Sequence, residues 1–151
     1  MPLAIGDQAP VIALGDQNGI ERRSDQLAGK ALVLFFYPKD DTPGCTMEAC
    51  AFRDNYAELQ ALGAEVWGVS GDDAASHQRF ASRHNLPYPL LVDQGNRLRQ
   101  AFGVPSVLGL LPGRVTYVID AGGVIRHVFN NLLDGPAHLR AAKDALLKLQ
   151  A

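Results

Sequence analysis

Two runs of strand length, one wholly apolar and one largely apolar, constrain the fold of this chain more than any other feature of its sequence. They are ALVLFFY at Ala31–Tyr37 and AEVWGVSG at Ala64–Gly71. A strand with one solvated face alternates apolar and polar residues, whereas an unbroken apolar run is typical of a strand buried on both faces. The sequence therefore predicts two central strands of a sheet that other elements cover on each side.

A helix is predicted between these two strands. Thr42 is a favourable N-cap residue, and Pro43 suits the first helical position. Apolar residues then recur in steps of four and three, which places them on one helical face: Cys45, Ala49, Phe52, Tyr56 and Leu59. We expect this helix to end near Gly63.

The rest of the chain continues the alternation of strands and helices. The turn residues GDQNG predict a hairpin or short strands within Ala9–Leu27. Helices are predicted at Asp73–His84, at Gly95–Gly103, where the helix is short, and at Gly135–Leu149. A loop with a strand is predicted at Leu86–Asp93, an apolar loop at Val104–Gly113 and a strand pair at Arg114–Asn131. This order predicts an α/β fold with a mixed central β-sheet flanked by helices, in a single domain over residues 1–151.

The composition excludes several classes of function. The chain is 47% hydrophobic and 20% charged with a net charge of −2, which argues against disorder and against a basic surface for nucleic acids or anionic membranes. No apolar run approaches the roughly 20 residues of a membrane-spanning helix. The first residues show no basic stretch followed by an apolar one, the pattern of a signal peptide. We therefore expect a cytoplasmic protein with no nucleic-acid or membrane partner.

The chain has only two cysteines, Cys45 and Cys50. In a reducing cytosol, a close cysteine pair is more often catalytic, redox-sensing or metal-binding than a permanent bridge. Cys45 is expected in the first turn of its helix, where unpaired N–H groups and the positive end of the helix dipole favour the thiolate. Lys39 or an arginine brought in by the fold would favour the thiolate further. The alternative is that Cys45 is a small buried apolar residue.

The spacing of the two cysteines restricts their chemistry. Five residues on a regular helix mean a rise of about 7.5 Å and a rotation of about 140°, so the Cα atoms lie roughly 8–9 Å apart. A disulfide needs a Cα separation of about 4.4–6.8 Å, so the helix must unwind before Cys45 and Cys50 can bridge. A Cys-x-x-Cys pair is absent. The four histidines form no tight metal motif with the cysteines and are expected at the surface or partly buried: His77, His84, His127 and His138.

The residues around Cys45 resemble a known family. Pro38, Thr42 and Cys45 reproduce the Pro-x-x-x-Thr-x-x-Cys signature of the peroxiredoxins. The longer string FFYPKDDTPGCTMEACAFRDNY is similar to the peroxiredoxin Q group, also called bacterioferritin comigratory proteins. The likeness continues through GAEVWGVSGDD, SHQRFASRHNLPYPLLVDQGN and FGVPSVLGLLPGRVTYVID and covers nearly the whole chain. The segments LPGRVTYVID and NN resemble the plastid and cyanobacterial branch.

The resemblance implies a thioredoxin-like fold with an N-terminal hairpin extension and a thiol-dependent peroxidase that serves antioxidant defence and redox homeostasis. By this likeness Cys45 is the peroxidatic cysteine, which becomes a sulfenic acid, and Cys50 is the resolving cysteine. Thr42 offers its hydroxyl, Pro38 shields the pocket and Arg114 lies over the thiolate. The implied substrates are hydrogen peroxide and organic hydroperoxides, and the implied reductant is thioredoxin or a similar dithiol. No metal, haem or flavin cofactor is implied, and the expected state is a monomer.

Each assignment has a structural alternative. Thr42 can be an N-cap alone, since such a cap stabilises a helix by about 1 kcal/mol. Pro38 can simply end a strand, and Arg114 can be a surface charge at a strand start. Cys50 can be an inert small residue. The apolar loop Val107–Leu111 predicts tolerance of organic hydroperoxides.

Other functions remain open from the residues alone. A copper-delivery protein would use Cys45, Cys50 and a distant histidine such as His84 as ligands. A redox sensor would use the same helix switch to signal to a partner. Glu48 and Arg53 lie near the cysteines in sequence and are expected to form supporting ion pairs, which contribute little where they are exposed.

Overall fold

Strands and helices alternate along the chain in the computed structural model, which describes residues 2–107 and 111–150. The strands are β1 (Ala13–Gly15), β2 (Glu21–Arg23), β3 (Ala31–Phe36), β4 (Ala64–Ser70), β5 (Leu90–Val92), β6 (Ser106–Val107), β7 (Leu111–Pro112), β8 (Val115–Ile119) and β9 (Ile125–Asn130). The α-helices are α1 (Pro43–Asp54), α2 (Tyr56–Ala61), α3 (Ala74–His84), α4 (Arg97–Phe102) and α5 (Gly135–Leu149). Two short 3₁₀ turns lie at Ser24–Gln26 and Gln94–Asn96.

A five-stranded mixed sheet forms the centre, in the order β5-β4-β3-β8-β9. β3 is parallel to β4, and β4 is parallel to β5. β8 is antiparallel to β3, and β9 is antiparallel to β8. The predicted mixed sheet flanked by helices is confirmed, and the wholly and largely apolar runs are its adjacent strands β3 and β4. The strand directions were not predictable, because an apolar run is the same in either direction.

The sheet is buried on both faces, as the apolar runs predicted. Alternate residues of β3 and its extension, Val33, Phe35 and Tyr37, belong to the core cluster under α1, α2, α3 and α5. The residues between them belong to a second cluster, which includes Trp67 and Phe102 and lies toward α4 and the N-terminal segment. Both faces of the sheet are therefore covered at its central strand β3, which carries no polar side chain.

The helix between β3 and β4 differs from its prediction. It does not run unbroken to Gly63, because Asn55 has a non-helical backbone (φ −116°, ψ 10°) between α1 and α2. The Asn55 side chain donates to the carbonyl of Ala51 at 2.9 Å. Such a side-chain bond to the backbone of the preceding turn competes with the helical ladder, so the helix bends there and starts again at Tyr56.

Two regions outside the central sheet contain short antiparallel strand pairs. The predicted N-terminal hairpin is confirmed, with β1 and β2 antiparallel and Ala13 opposite Arg23. The apolar loop Val104–Gly113 contains a short antiparallel pair, with Ser106 opposite Pro112. Residues 108–110 of that loop lie outside the described residues. Among the helices described, none is both long and apolar enough to cross a bilayer.

The sheet register brings two distant segments to one edge. β3 ends at Phe36, which lies opposite Val115 at the start of β8. The segment that follows β3 leads into α1, and Arg114 immediately precedes β8. The start of α1 and Arg114 are therefore neighbours, although they are far apart in the sequence.

Candidate active site

Cys45 is the third residue of α1 and is only 1% exposed. Thr42 and Pro43 start the helix as predicted, with the Thr46 amide bonded to the Thr42 carbonyl at 2.8 Å. The first amides of a helix have no partner within it, so Cys45 lies where donors and the positive helix end are available. It also packs within the core cluster of α1. The Cys45 thiol is therefore both buried and close to positive charge.

Arg114 supplies that positive charge. It is 4% exposed, and its Nη2 donates to Cys45 Sγ at 3.3 Å. Its Nη1 donates to Glu48 Oε1 at 2.7 Å, and its Nε donates to the Leu132 carbonyl at 2.9 Å. Burial lowers the pKa of Arg114, but the charges of Glu48 and Cys45 raise it by more, so the side chain stays a cation. The alternative of a surface charge is therefore wrong.

Glu48 lies three residues after Cys45 and is fully buried. The expectation that it would form a weak exposed ion pair is wrong, because its partner Arg114 is buried too. Burial raises the pKa of Glu48 to about 8, against the opposing effect of Arg114. Its second oxygen, Oε2, has no hydrogen-bond partner among the described residues and lies 3.5 Å from His138 Nδ1.

His138, on α5, completes this side of the site. Its Nε2 lies 2.7 Å from the Asn131 carbonyl, which can only accept, so Nε2 carries the hydrogen. Its Nδ1 lies 2.7 Å from the Thr116 hydroxyl. Burial lowers the pKa of His138 to about 4, so the ring is neutral and Nδ1 accepts from Thr116. The expected surface or partly buried position is wrong for His138 and for His77, which are both fully buried.

Thr42 and Pro38 lie on the segment that joins β3 to α1. Thr42 is at the N-cap position with an extended backbone, but its side chain makes no capping bond. Its hydroxyl instead donates to the Lys39 carbonyl at 2.8 Å. The role as a side-chain cap is therefore wrong, while the oxygen of Thr42 keeps its capacity to accept. Pro38 is half-buried and follows the buried Tyr37.

Arg99 is a second buried arginine at this edge, and no sequence pattern indicated it. It is 6% exposed and donates to the carbonyls of Gly113 at 2.6 Å and Tyr37 at 2.9 Å. Its guanidinium lies 5.6 Å from the centre of the Phe36 ring, within the range of a cation–π contact. Arg99 thus ties together the residues that precede Pro38 and Arg114.

Cys50 lies on the same unbroken helix as Cys45, and both thiols are free. Cys50 is half-buried, so it is neither a core residue nor fully solvated. The middle of the helix is held by Tyr88, whose hydroxyl donates to the Ala49 carbonyl at 2.6 Å. Farther along, Arg53 donates to the His84 carbonyl at 2.8 Å. The requirement that the first turns unwind before a disulfide forms stays a prediction.

The copper alternative finds no support in this geometry. The Arg114 cation lies against Cys45 Sγ, and a bound metal cation there would meet like charge. Within residues 2–107 and 111–150, the one group of three metal-type ligands is Asp40, Asp72 and His77, which contains no cysteine. These three ligand atoms already take part in hydrogen bonds with one another and with neighbouring hydroxyls.

Several known proteins are similar to this chain over most of its length. The model of the AhpC/TSA family matches residues 5–128. The chloroplastic peroxiredoxin Q of Triticum aestivum is 50% identical over 135 residues, which cover 89% of this chain and 62% of that protein. The chloroplastic peroxiredoxin Q of Sedum lineare is 48% identical over 145 residues, 95% of this chain and 76% of that protein. The chain thus spans about three fifths of the wheat relative's length.

Solved structures show the same fold. Peroxidoxin BcpB from Mycobacterium tuberculosis superposes with a TM-score of 0.89 at 36% identity, covering 97% of this chain and 98% of that one. The bacterioferritin comigratory protein of Xanthomonas campestris, a protein with alkyl peroxide reduction activity, superposes with a TM-score of 0.85 at 28% identity, covering 93% and 92%. The predicted thioredoxin-like fold is confirmed.

The expected cytoplasmic location is wrong by this comparison. The relatives from wheat, Suaeda salsa and Arabidopsis thaliana are all chloroplastic peroxiredoxins Q. The expectation rested on charge and composition, which describe the folded domain, and on the lack of a signal-peptide pattern in the first residues given. Compartment is specified by targeting segments, so the properties of a folded domain do not predict it.

Proposed function

This chain belongs to the AhpC/TSA family and, within it, to the peroxiredoxin Q group, and on that premise we propose that it is a thiol-dependent peroxidase with Cys45 as its peroxidatic cysteine. One observation carries the proposal. Cys45 Sγ is buried in the first turn of a helix and lies 3.3 Å from Arg114, which Glu48 and the Leu132 carbonyl hold in place. This arrangement stabilises a thiolate and the negative charge that forms when it reacts.

The first step is a nucleophilic displacement at oxygen. The Cys45 thiolate attacks one peroxide oxygen, an S–O bond forms and the O–O bond breaks. The cysteine becomes a sulfenic acid, and the departing hydroxide or alkoxide takes a proton to become water or an alcohol. Arg114 and the free amides at the start of α1 stabilise the charge on the oxygens. Since the Thr42 hydroxyl donates to Lys39, its oxygen is available to accept the peroxide O–H.

The second step resolves the sulfenic acid. The Cys50 thiolate attacks the Cys45 sulfur, a disulfide forms, and the departing hydroxide takes a proton to become water, which prevents further oxidation to sulfinic acid. Both cysteines lie on α1, so the first turns of this helix unwind during the step. A dithiol such as thioredoxin then reduces the disulfide by exchange. Electrons pass only between sulfur and oxygen, so the cycle as proposed needs no metal, haem or flavin.

The substrates are hydrogen peroxide and organic hydroperoxides, and the role is antioxidant defence and redox homeostasis. Support for organic substrates comes from the alkyl peroxide reduction described for the Xanthomonas campestris relative. The apolar loop that suggested such substrates falls largely on residues 108–110, outside the described residues. Leu110→Ser tests it: a slower reaction with a bulky hydroperoxide, but not with hydrogen peroxide, is expected. We propose a monomer of one domain, for which light scattering is the check.

A thiol count tests the peroxidase. Reduced protein is assayed before and after one equivalent of hydrogen peroxide, for wild type, Cys45→Ser and Cys50→Ser. We expect wild type to lose both thiols within seconds and Cys45→Ser to keep its remaining thiol. Cys50→Ser should stop at a sulfenic acid that a dimedone reagent traps. Wild type that keeps its thiols for minutes would refute the peroxidase, and a Cys50→Ser variant indistinguishable from wild type would refute the resolving role alone.

A further inference from the structure

A second buried polar cluster lies beside the active site and is not used by the chemistry above. Its centre is Asp40, 4% exposed, in the segment between β3 and α1. One carboxylate oxygen accepts from the Tyr37 hydroxyl at 2.5 Å. The other accepts from the Ser76 hydroxyl at 2.8 Å and lies 2.6 Å from His77 Nδ1. Ser76 and His77 belong to the first turn of α3, so α3 anchors the segment between β3 and α1 through these two contacts.

The hydrogen bonds of His77 determine its protonation. Its Nε2 lies 2.8 Å from the Leu91 carbonyl, which only accepts, so Nε2 carries a hydrogen. A neutral imidazole has one N–H, and its Nδ1 lone pair would then face the Asp40 carboxylate. A doubly protonated ring satisfies both contacts. The proton belongs on His77, because histidine is the more basic group and the Asp40 oxygens already accept from the hydroxyls of Tyr37 and Ser76.

The charged and titratable groups around His77 agree with this state. They are Asp40 and Tyr37 from the segment after β3, and Asp72 from the segment after β4; β5 contributes the Leu91 carbonyl. Burial lowers the pKa of His77, but the bond to Asp40 and its negative charge more than offset that effect. The pKa of His77 therefore lies above its usual value of 6.5.

The segment held by this cluster carries site residues. Asp41 has a left-handed backbone (φ 59°), a conformation that aspartate adopts more readily than most residues other than glycine. Its side chain pairs with Arg83 of α3 at 3.1 Å. The amide of Asp40 donates to Asp72 at 2.8 Å. Thr42 follows directly, so its position depends on the contacts of this segment with α3.

We propose that His77 is a positioning residue of the peroxidase: as an imidazolium bonded to Asp40, it holds the segment that places Pro38 and Thr42 beside Cys45. When His77 loses one proton, it can no longer donate to both the Asp40 carboxylate and the Leu91 carbonyl, and the segment is released. The inference rests on the proposed function. It gives a role to a buried histidine and carboxylate that the reaction itself does not use.

Ring nitrogen resonances test the charge state without any turnover. Reduced protein with ¹⁵N-labelled histidine is observed by NMR at pH 7, with His77→Gln for assignment. Both His77 nitrogens should resonate as protonated nitrogens, while His138 should show one bare nitrogen as an internal reference. A bare Nδ1 on His77 would overturn the proposal, whatever the activity of the protein.

A pH profile tests the positioning role. The second-order rate of Cys45 oxidation by hydrogen peroxide is measured by stopped flow for wild type, His77→Gln and His127→Gln, a half-buried histidine on β9. The wild-type rate should fall at alkaline pH. His77→Gln should react about tenfold more slowly at pH 7 and lack that fall, as expected for a misplaced group. His127→Gln should match wild type, and a His77→Gln profile that also matches wild type refutes the proposal.

The proposal stays testable even if His77→Gln does not fold or wild type does not react with peroxide. Should His77→Gln fail to fold by circular dichroism, Ser76→Ala removes one bond to Asp40 and keeps the imidazolium. That variant should lower the rate severalfold and leave the alkaline fall at the wild-type pH; an unchanged rate would count against the positioning role. If wild type itself does not react with peroxide, the peroxidase fails, while the NMR result still decides the charge of His77.

Discussion

Two buried carboxylate–histidine pairs link the region of α1 to neighbouring helices, and they differ in where the positive charge resides. Asp40 and His77 lie toward α3, with 2.6 Å between carboxylate and Nδ1. Glu48 and His138 lie toward α5, with 3.5 Å between the corresponding atoms. In both pairs Nε2 of the histidine bonds a backbone carbonyl. Each pair therefore joins a carboxyl group to a histidine in a similar arrangement, but the two histidines differ in charge.

The neighbours of each carboxylate account for the difference. Burial lowers the pKa of His138, and the nearby Arg114 cation lowers it further, so His138 stays neutral and accepts from Thr116. Among the described residues, the Asp40 carboxylate accepts from the hydroxyls of Tyr37 and Ser76 and has no arginine or lysine partner, so His77 carries the compensating charge. The cation near one pair, and the lack of one near the other, thus accounts for the difference.

The largest expected effect comes from removing the carboxylate that faces Arg114. Glu48→Ala leaves the buried Arg114 guanidinium without its carboxyl partner, which should destabilise the fold by about 3–5 kcal/mol. The matched control is Glu58→Ala, since Glu58 pairs with Lys143 at 2.8 Å but is 49% exposed. The control should cost less than about 1 kcal/mol. Urea unfolding measures both, and equal effects would contradict the distinction between the two ion pairs.

The two histidines should give stability opposite dependences on pH. The folded pKa of His138 is about 4, below the usual 6.5, so its contribution is complete above pH 6.5 and is lost as pH falls toward 4. The loss amounts to roughly 3 kcal/mol. The folded pKa of His77 is raised, so its contribution is complete below pH 6.5 and is lost as pH rises through the folded value.

Urea unfolding across pH, with single variants, separates these contributions. His138→Gln should flatten the acid side of the stability profile, and His77→Gln should flatten the alkaline side. Unchanged profiles in either variant would show that the corresponding histidine is not responsible.

Removing one hydroxyl from each pair should give a smaller difference. Tyr37→Phe removes a bond to the charged Asp40, which should cost about 2 kcal/mol. Thr116→Val removes a bond to the neutral His138 and should cost about 1 kcal/mol. Thermal and urea unfolding of the two variants give the comparison. A larger effect for Thr116→Val would indicate that the charges are distributed the other way round.

The smallest effect belongs to the exposed contact of the same segment. Arg83 pairs with Asp41 but is 62% exposed, so Arg83→Ala should change the free energy of unfolding by less than about 0.5 kcal/mol. It should also leave the rate of Cys45 oxidation near that of wild type, since His77 still holds Asp40. A large loss of rate would move the positioning role from His77 to the Asp41 contact.

Much of the fold was predictable because its signals are local. The runs that became β3 and β4 and the turn residues of the N-terminal hairpin depend on neighbouring residues only. The break at Asn55 was not predictable, since it depends on a single side-chain bond to Ala51. The order of strands was not predictable either, because pairing between β3 and β8 joins segments far apart in the chain.

The site divides in the same way. Pro38, Thr42 and Cys45 form one continuous motif, and the structure places them on the segment and helix turn expected of them, although their roles stay predictions until the thiol count is made. Arg114 was identified by resemblance alone, because its burial depends on strand pairing. His77, His138 and Arg99 were missed or misjudged. Histidine and arginine are usually exposed, and only their tertiary partners show that these three are buried.

Unwinding of α1 should also affect α5, because Gly135 at the start of α5 packs directly against α1. A β-carbon at Gly135 would lie 2.8 Å from Glu48 Cβ and 2.9 Å from the Gly44 carbonyl oxygen, so α5 begins directly on the backbone of α1. When the first turns of α1 unwind, the opening turn of α5 loses the surface on which it rests. Amide hydrogen exchange there should quicken in the disulfide form, which makes α5 a built-in reporter of the oxidation state of Cys45.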